Sequence, residues 1–296
     1  MATRVTLPYV APAELLPAPL PTVAEILATT RLPESIGTAV ARVGQHFAVK
    51  YGEQSNILQE GENLLFVQQS TSVPVPRVYA LFHDDKTDLN FIVQEYIPGR
   101  LLASCWGKLS TAEKQSITSQ LRRHMDELRS IPSPGYYGGV WRQPIQASLF
   151  AEGGPLGMNR RPHPDSTISG PHETEEAWTD AMWRFLDTSV ASNSVYLPAF
   201  IPFLRRPYQA IFKGHHPVFT HSDLQPVNIV LRNDGGVVII DWERAGWYPS
   251  YWEYCTSAMS NHYLDDWWQW VHEFLDEYFA ELGWMYTHRS MVLMEA

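Results

Sequence analysis

Residues 217–246 read PVFTHSDLQPVNIVLRNDGGVVIIDWERAG and hold the strongest structural signal in the chain. Residues 229–231 and 237–240 are apolar runs typical of buried strands, and we expect the first strand to open at Asn228. Between these runs, Arg232–Gly236 has the composition of a tight hairpin turn. The segment therefore predicts a short antiparallel hairpin.

Polar side chains stand just before and just after this hairpin. His221, Asp223 and Asn228 follow the spacing H-x-D-x-x-x-x-N, and Asp241 ends the second strand. Oxygen ligands gathered at one edge of a hairpin suit a hard cation such as Mg²⁺. A further acid can orient and deprotonate a hydroxyl group. The alternative is that these residues are ordinary turn formers and caps.

A second polar pair is expected upstream. Alternation along Phe47–Lys50 places Lys50 on the opposite face from Phe47 and Val49, inside an apolar strand. A buried lysine needs a partner. Glu60 lies on the apolar face of the next predicted helix, whereas Glu62 is expected to point about 200° away from it. The pair Lys50–Glu60 could hold phosphates, or it could be a plain structural salt bridge.

Strands come first along the chain and helices later, with a break at Pro98-Gly99. This order predicts an α+β fold with two lobes, residues 1–97 and 98–296. The first five prolines suggest an extended arm packed on the first lobe. The other expected elements are a hairpin at 40–51, strands at 73–82 and 89–97, and helices at 54–69, 110–130, 173–188 and 265–282.

Composition excludes several classes of protein. The formal net charge is −10, which argues against a nucleic-acid partner, and no apolar run is long enough to span a membrane. The two cysteines are too few for a disulfide framework, and the N-terminus resembles neither a secretory nor a transit segment. A cytoplasmic location is therefore expected, and these observations leave the oligomeric state open.

Together these residues resemble the aminoglycoside-phosphotransferase family of the protein-kinase-like superfamily, in particular its fungal branch. The resemblance implies a two-lobed fold in which Lys50 contacts the phosphates of ATP and Glu60 pairs with it. It implies that Asp223 accepts the proton of the substrate hydroxyl and that Asn228 and Asp241 bind Mg²⁺.

Other family positions are matched less closely. His221 matches the loop histidine, but Ser222 stands where the family usually has glycine. Asp241-Trp242-Glu243 is similar to the family's metal segment and disfavours a protein kinase. The backbone at Glu95 and Ile97 matches the hinge that bonds the adenine.

The phosphate-covering loop departs from the family pattern. It should be glycine-rich, yet only Gly37 and Gly44 precede Lys50, and Gly44 is expected in a hairpin turn. The resemblance then places the loop near residues 33–38, with Ser35 and Thr38 as phosphate donors.

The sequence therefore predicts an ATP- and Mg²⁺-dependent enzyme that phosphorylates a hydroxyl group of a small molecule. One alternative is a pseudokinase that serves as a binding or scaffold module, which the poor phosphate loop favours. Another is a kinase fold used for non-phosphoryl chemistry on an apolar metabolite. The acceptor and the choice of ATP or GTP stay open.

The C-terminal region suggests one kind of acceptor. Residues 245–288 contain seven acids, six tryptophans and no lysine or arginine. An acidic, aromatic wall would suit a cationic substrate. The alternative, which we favour, is that the aromatic side chains fill the core and the acids face water.

Overall fold

A computed structural model describes residues 2–32, 38–54, 56–146, 162–190, 199–260 and 265–294. The strands are β1 (Tyr9–Val10), β2 (Ala39–Val43), β3 (Phe47–Gly52), β4 (Val78–Asp84), β5 (Leu89–Glu95), β6 (Arg100–Leu101), β7 (Gly138–Gly139), β8 (Pro217–Thr220), β9 (Ile229–Leu231), β10 (Val237–Ile239) and β11 (Gly246–Pro249). The helices are α1 (Val23–Ala28), α2 (Asn56–Ser70), α3 (Thr111–Arg129), α4 (Ser166–Ser169), α5 (Glu175–Val190), α6 (Phe200–Ile211), α7 (Trp252–Ala258), α8 (Val271–Phe274) and α9 (Phe279–Met294).

The chain folds into two compact units. The first comprises residues 1–106 and 226–243, and the second comprises residues 107–225 and 244–296. Antiparallel strands dominate the first unit and helices the second, so the predicted α+β class is confirmed. The sequence predicts one boundary, between residues 97 and 98, whereas each unit consists of two separate segments of the chain. The predicted domain bounds stay a prediction.

The first unit is built on a five-stranded antiparallel sheet in the order β1-β4-β5-β3-β2. The expected hairpin at 40–51 is present as β2 and β3, with Lys50 opposite Val40 in the register. Gly44 turns this hairpin with a φ of +63°, a conformation that costs glycine little. Val49 and Phe91 are fully buried in one hydrophobic cluster of this sheet.

Helix α2 is buried along most of its length, and this corrects one expectation. Glu62 does not face water: only 5% of its surface is exposed, and it accepts hydrogen bonds from Arg4 at 2.7 and 3.1 Å. The N-terminal arm supplies Arg4 and also places β1 beside β4 at the sheet edge. The periodicity of α2 alone cannot show that the arm covers Glu62, because the arm is distant in sequence.

A second, three-stranded sheet in the first unit has the order β10-β9-β6. It contains the expected hairpin, but strand β9 begins at Ile229. Asn228 ends a 3-10 turn, Pro226–Asn228, and so does not open the strand as predicted. Gly99 allows β6 to lie close to β9, since a Cβ at residue 99 would be 2.5 Å from the Leu231 carbonyl oxygen.

The second unit packs helices around a small sheet, β7-β11-β8, and an aromatic core. Helix α3 begins with a capping box, in which the Ser110 hydroxyl accepts from the Glu113 N–H and the Glu113 carboxylate accepts from the Ser110 N–H. Trp178 is fully buried, with its ring centroid 5.1 Å from that of Trp252 and 5.3 Å from that of Tyr248.

The single helix expected at 265–282 is wrong. A 3-10 turn (Trp267–Gln269) and α8 occupy its first part, and α9 begins only at Phe279. Leu275 ends α8 because its backbone is extended, with φ −134° and ψ 147°. Trp267, Val271 and Phe274 are nevertheless buried, whereas Trp270 and Tyr278 are half-buried. None of the helices in the described part of the chain is long and apolar enough to span a membrane.

Candidate active site

Lys50 on β3 lies at the centre of a buried charge cluster in the first unit. Its ammonium forms an ion pair with Glu60 of α2, as the sequence predicts. The same ammonium donates to Asp241 Oδ1 at 2.8 Å and lies 3.9 Å from Glu243 Oε2. Only 8% of Lys50 and 1% of Glu60 is exposed. The structure therefore brings together three sequence-predicted residues, Lys50, Glu60 and Asp241, and adds Glu243.

Three carboxylates share this one lysine. Glu60, Asp241 and Glu243 each place an oxygen within 4.8 Å of the other two. Burial by itself would lower the pKa of Lys50, but attraction to Asp241, Glu60 and Glu243 outweighs burial and raises it. Burial raises the pKa of Glu60, and repulsion by Asp241 and Glu243 adds to this while Lys50 opposes it. The cluster therefore has negative charge that a divalent cation could balance.

Two asparagines of α2 hold the segment that follows β10. Asn56 Nδ2 donates to Glu243 Oε2, and Asn63 Nδ2 donates to the Trp242 carbonyl, both at 2.8 Å. Asp241 itself has a φ of +63°, which is costly for a residue other than glycine. The helix that carries Glu60 therefore also fixes residues 241–243.

The hairpin places Asn228 and Asp241 at the same end. The Ile240 N–H donates to the Asn228 carbonyl at 2.9 Å, which continues the register of β9 and β10 by one residue. Asp241 is the next residue along the chain. The pairing of these two oxygen-bearing side chains expected from the sequence is thus supported by the backbone register.

In the second unit, the loop after β8 carries Asp223. Arg244 Nη1 lies 3.1 Å from Asp223 Oδ1, and Gln225 Nε2 donates to the same oxygen at 2.9 Å. His221 Nδ1 accepts the Asp223 N–H at 3.2 Å, so His221 supports the backbone of this loop. Neither Gln225 nor Arg244 is anticipated by the sequence pattern.

Helix α7 holds the same loop through Glu253. The fully buried Glu253 carboxylate accepts the N–H groups of His221 and Ser222 at 2.6 and 3.0 Å. Ser222 has a φ of +68°, which explains why glycine suits this position in the family it resembles. Ser222 Oγ accepts the Trp252 Nε1–H at 2.9 Å, a contact that glycine cannot make.

The predicted nucleotide contacts are placed as follows. The Glu95 N–H donates to the Arg77 carbonyl at 2.8 Å, so an adenine contact at Glu95 would use its carbonyl. Ile97 is buried with Val230 and Val238. Thr38 is half-buried just before β2, whereas Ser35 lies outside the described residues.

Three of the seven acids in the C-terminal region contact basic side chains of other segments within the second unit. The Asp266 carboxylate lies 2.7 Å from the Lys114 ammonium, and the Asp276 carboxylate lies 3.0 Å from the Arg122 guanidinium. The Glu281 carboxylate lies 3.0 Å from His215 Nε2. Trp247, Trp252 and Trp267 are buried. The buried tryptophans agree with the core-packing interpretation, whereas Trp268 is 45% exposed and the paired acids Asp266 and Glu281 do not simply face water.

A family model described as the phosphotransferase enzyme family matches residues 34–291. Among curated proteins, no sequence matches the chain significantly. The chain is similar in structure to aminoglycoside 2'-phosphotransferase-IIIa in its GDP complex, with a TM-score of 0.55 and 13% identity over 91% of this chain and 82% of that one. It is also similar to the streptomycin–ATP ternary complex of APH(2")-IIa, with a TM-score of 0.56 and 13% identity over 91% and 83%.

A third similar structure, ADP-bound aminoglycoside phosphotransferase APH(2'')-Ib, has a TM-score of 0.55 and 14% identity over 90% of this chain and 82% of that one. At such low identity these structures show the shared kinase-like fold. The family model covers most of the chain, and its range includes the charge cluster around Lys50 and the loop that carries Asp223. This chain therefore belongs to the phosphotransferase enzyme family.

Proposed function

We propose that this protein transfers the γ-phosphoryl group of ATP to a hydroxyl group of a small molecule. The observation that carries the proposal is the buried contact of Lys50 with both Glu60 and Asp241. A plain structural salt bridge needs one carboxylate, whereas this lysine meets three. Such an excess of acid around a fixed ammonium is suited to a site where phosphates and a divalent cation bind together.

The donor set fits Mg²⁺. The side chains of Asp241 and Asn228 offer the oxygen ligands that this ion prefers, and the hairpin register holds both at one end. We propose that they bind Mg²⁺, which would supply charge neutralisation on the phosphates. Lys50 would position the phosphates, with Glu60 holding the lysine in place.

Asp223 would act as the base. The acceptor hydroxyl gives its proton to the Asp223 carboxylate, and its oxygen forms a bond to the γ-phosphorus. The bond between that phosphorus and the oxygen bridging to the β-phosphate breaks, and its electron pair leaves with ADP. The ionised Asp223 expected beside Arg244 has the charge needed to accept the proton.

The nucleotide would be held by the backbone around the hinge. We propose that the Glu95 carbonyl and the Ile97 N–H bond the adenine, and that Thr38 and Ser35 donate to phosphates. The neighbouring structures contain ATP, ADP or GDP, so either purine nucleotide is a reasonable donor to test. The break near residue 98 would then separate the nucleotide-binding lobe from the lobe that binds the acceptor.

One alternative has a specific observation in its favour. The segment before Lys50 has few glycines, so a protein with this fold could bind partners without phosphoryl transfer. The occupied positions 50, 60, 223, 228 and 241 favour catalysis instead.

Two measurements test the proposal. The melting temperature is first measured with ATP or GTP, each with Mg²⁺ and with EDTA. A nucleotide at 100 times its Kd should add about 2.7 kcal/mol to the free energy of unfolding. Transfer from γ-labelled nucleotide to a panel of hydroxyl-bearing metabolites is then followed by product mass. We expect Mg²⁺-dependent binding and a product that carries one added phosphate. Stable binding without transfer or ADP formation would support the binding module.

A further inference from the structure

Arg244 is a buried arginine that has no role in the reaction as proposed above. It is 5% exposed, and its guanidinium lies 3.1 Å from the Asp223 carboxylate. A guanidinium stays charged at any pH at which the protein is folded, and burying it is costly without a carboxylate partner. Asp223 is such a partner, and it is also the proposed base.

The backbone of Arg244 is held by the aromatic core. The carbonyl oxygen of Arg244 accepts the Tyr248 hydroxyl at 2.8 Å, and Tyr248 is fully buried in the aromatic core. Gln225, two residues after Asp223, donates through Nε2 to the same Asp223 oxygen. One charged donor and one neutral donor therefore orient a single carboxylate oxygen.

The remaining ionisable groups around the loop have other partners. Glu253 accepts the backbone N–H groups of His221 and Ser222, and His221 Nδ1 accepts the Asp223 N–H. These contacts shape the backbone of the loop. Arg244 instead contacts the Asp223 carboxylate, the group that would receive the proton.

We propose that Arg244 is a positioning residue that holds the Asp223 carboxylate ionised and in one orientation toward the acceptor hydroxyl. The role rests on the proposed function, since it requires Asp223 to be the base. Arg244 takes no proton: the proton of the acceptor passes to Asp223, and the guanidinium keeps its charge throughout. A misplaced base slows proton transfer without weakening nucleotide binding.

The test compares Arg244→Met with Arg244→Lys in the full chain, using Mg²⁺-ATP as the probe and ADP formation as the readout. Methionine removes both the charge and the donors, whereas lysine keeps the charge and has three N–H donors on a single nitrogen. We expect Arg244→Met to lower kcat about tenfold to a hundredfold while the KM for ATP stays within about twofold. Arg244→Lys should keep kcat within about fivefold of the wild type.

Arg205→Met is the matched control, because Arg205 also pairs with an aspartate in the second unit but has a half-exposed side chain. It should leave kcat unchanged. Wild-type kcat in Arg244→Met would overturn the positioning role alone. An equal loss in the methionine and lysine variants, or a loss in KM alone, would also overturn it. A wild-type protein that binds Mg²⁺-ATP but forms no ADP would overturn the proposed function and the positioning role with it. If Arg244→Met does not fold, Arg244→Gln takes its place: kcat should fall at least tenfold while the KM for ATP stays within about twofold, and wild-type kcat would overturn the role.

Discussion

The Glu253 carboxylate accepts the backbone N–H of His221 at 2.6 Å, and both residues are fully buried. This contact joins α7 to the loop that presents Asp223. Glu253→Gln should lower the free energy of unfolding by about 2 kcal/mol, because the amide would turn an N–H₂ group toward backbone donors. Urea denaturation measures the change. Glu277→Gln, at an exposed acid in the same unit, is the control, and equal effects of the two substitutions would show that the anchor contributes nothing.

Ser222 allows two opposing effects to be separated. Ser222→Ala keeps the strained φ of +68° and loses the bond from Trp252, whereas Ser222→Gly loses the bond but relieves the strain. We therefore expect the glycine variant to be more stable than the alanine variant by about 1 kcal/mol. Chemical denaturation of the two proteins side by side gives the difference. An alanine variant as stable as the glycine variant would mean that the strain is absent.

Lys50→Met should affect both catalysis and stability. It leaves the buried Glu60 and Glu243 and the partly exposed Asp241 without their shared cation, so the free energy of unfolding should fall by about 3 kcal/mol. Added Mg²⁺ should restore part of this loss, because it can balance the remaining carboxylates. ADP formation should fall about a hundredfold.

Lys86→Met removes an exposed lysine from the same unit and serves as the control for both measurements. Equal behaviour of the Lys50 and Lys86 variants would show that the buried cluster is neither catalytic nor stabilising.

His288 makes stability depend on pH. It is fully buried, and burial lowers its pKa to about 4, whereas an unfolded histidine has a pKa of about 6.5. Between these values the unfolded chain binds a proton that the folded chain does not, so stability falls as the pH falls. One such group contributes about 1.4 kcal/mol per pH unit.

His288→Gln should therefore flatten the slope of unfolding free energy against pH below about pH 6.5, as measured by denaturation at several pH values. His46→Gln, at an exposed histidine, is the control. A slope unchanged by His288→Gln would contradict a neutral buried imidazole bonded to the Tyr208 hydroxyl at 2.7 Å.

Local sequence patterns predict the parts of this protein that depend on near neighbours. Strand alternation is enough to place Lys50 inside, helical spacing to place Glu60 beside it, and the capping box to start α3 at Thr111. The tight turn between β9 and β10 is likewise readable from its Asp-Gly-Gly composition.

Contacts between distant segments cannot be read in this way. Glu62 is covered by Arg4, which is 58 residues away, so the period of α2 alone gives the wrong exposure. Arg244 follows Asp241-Trp242-Glu243 with no spacing that would link it to Asp223. The C-terminal helix is interrupted at Leu275, where the apolar period itself continues.

The most direct test of the central claim is ATP turnover by Asp223→Asn. Asparagine keeps the size of the side chain but cannot accept the proton of the acceptor. The proposed function predicts that ADP formation falls by a hundredfold or more, on the order of a general base's contribution, while Mg²⁺-ATP raises the melting temperature as in the wild type. Wild-type turnover in this variant would contradict the assignment of Asp223 as the base.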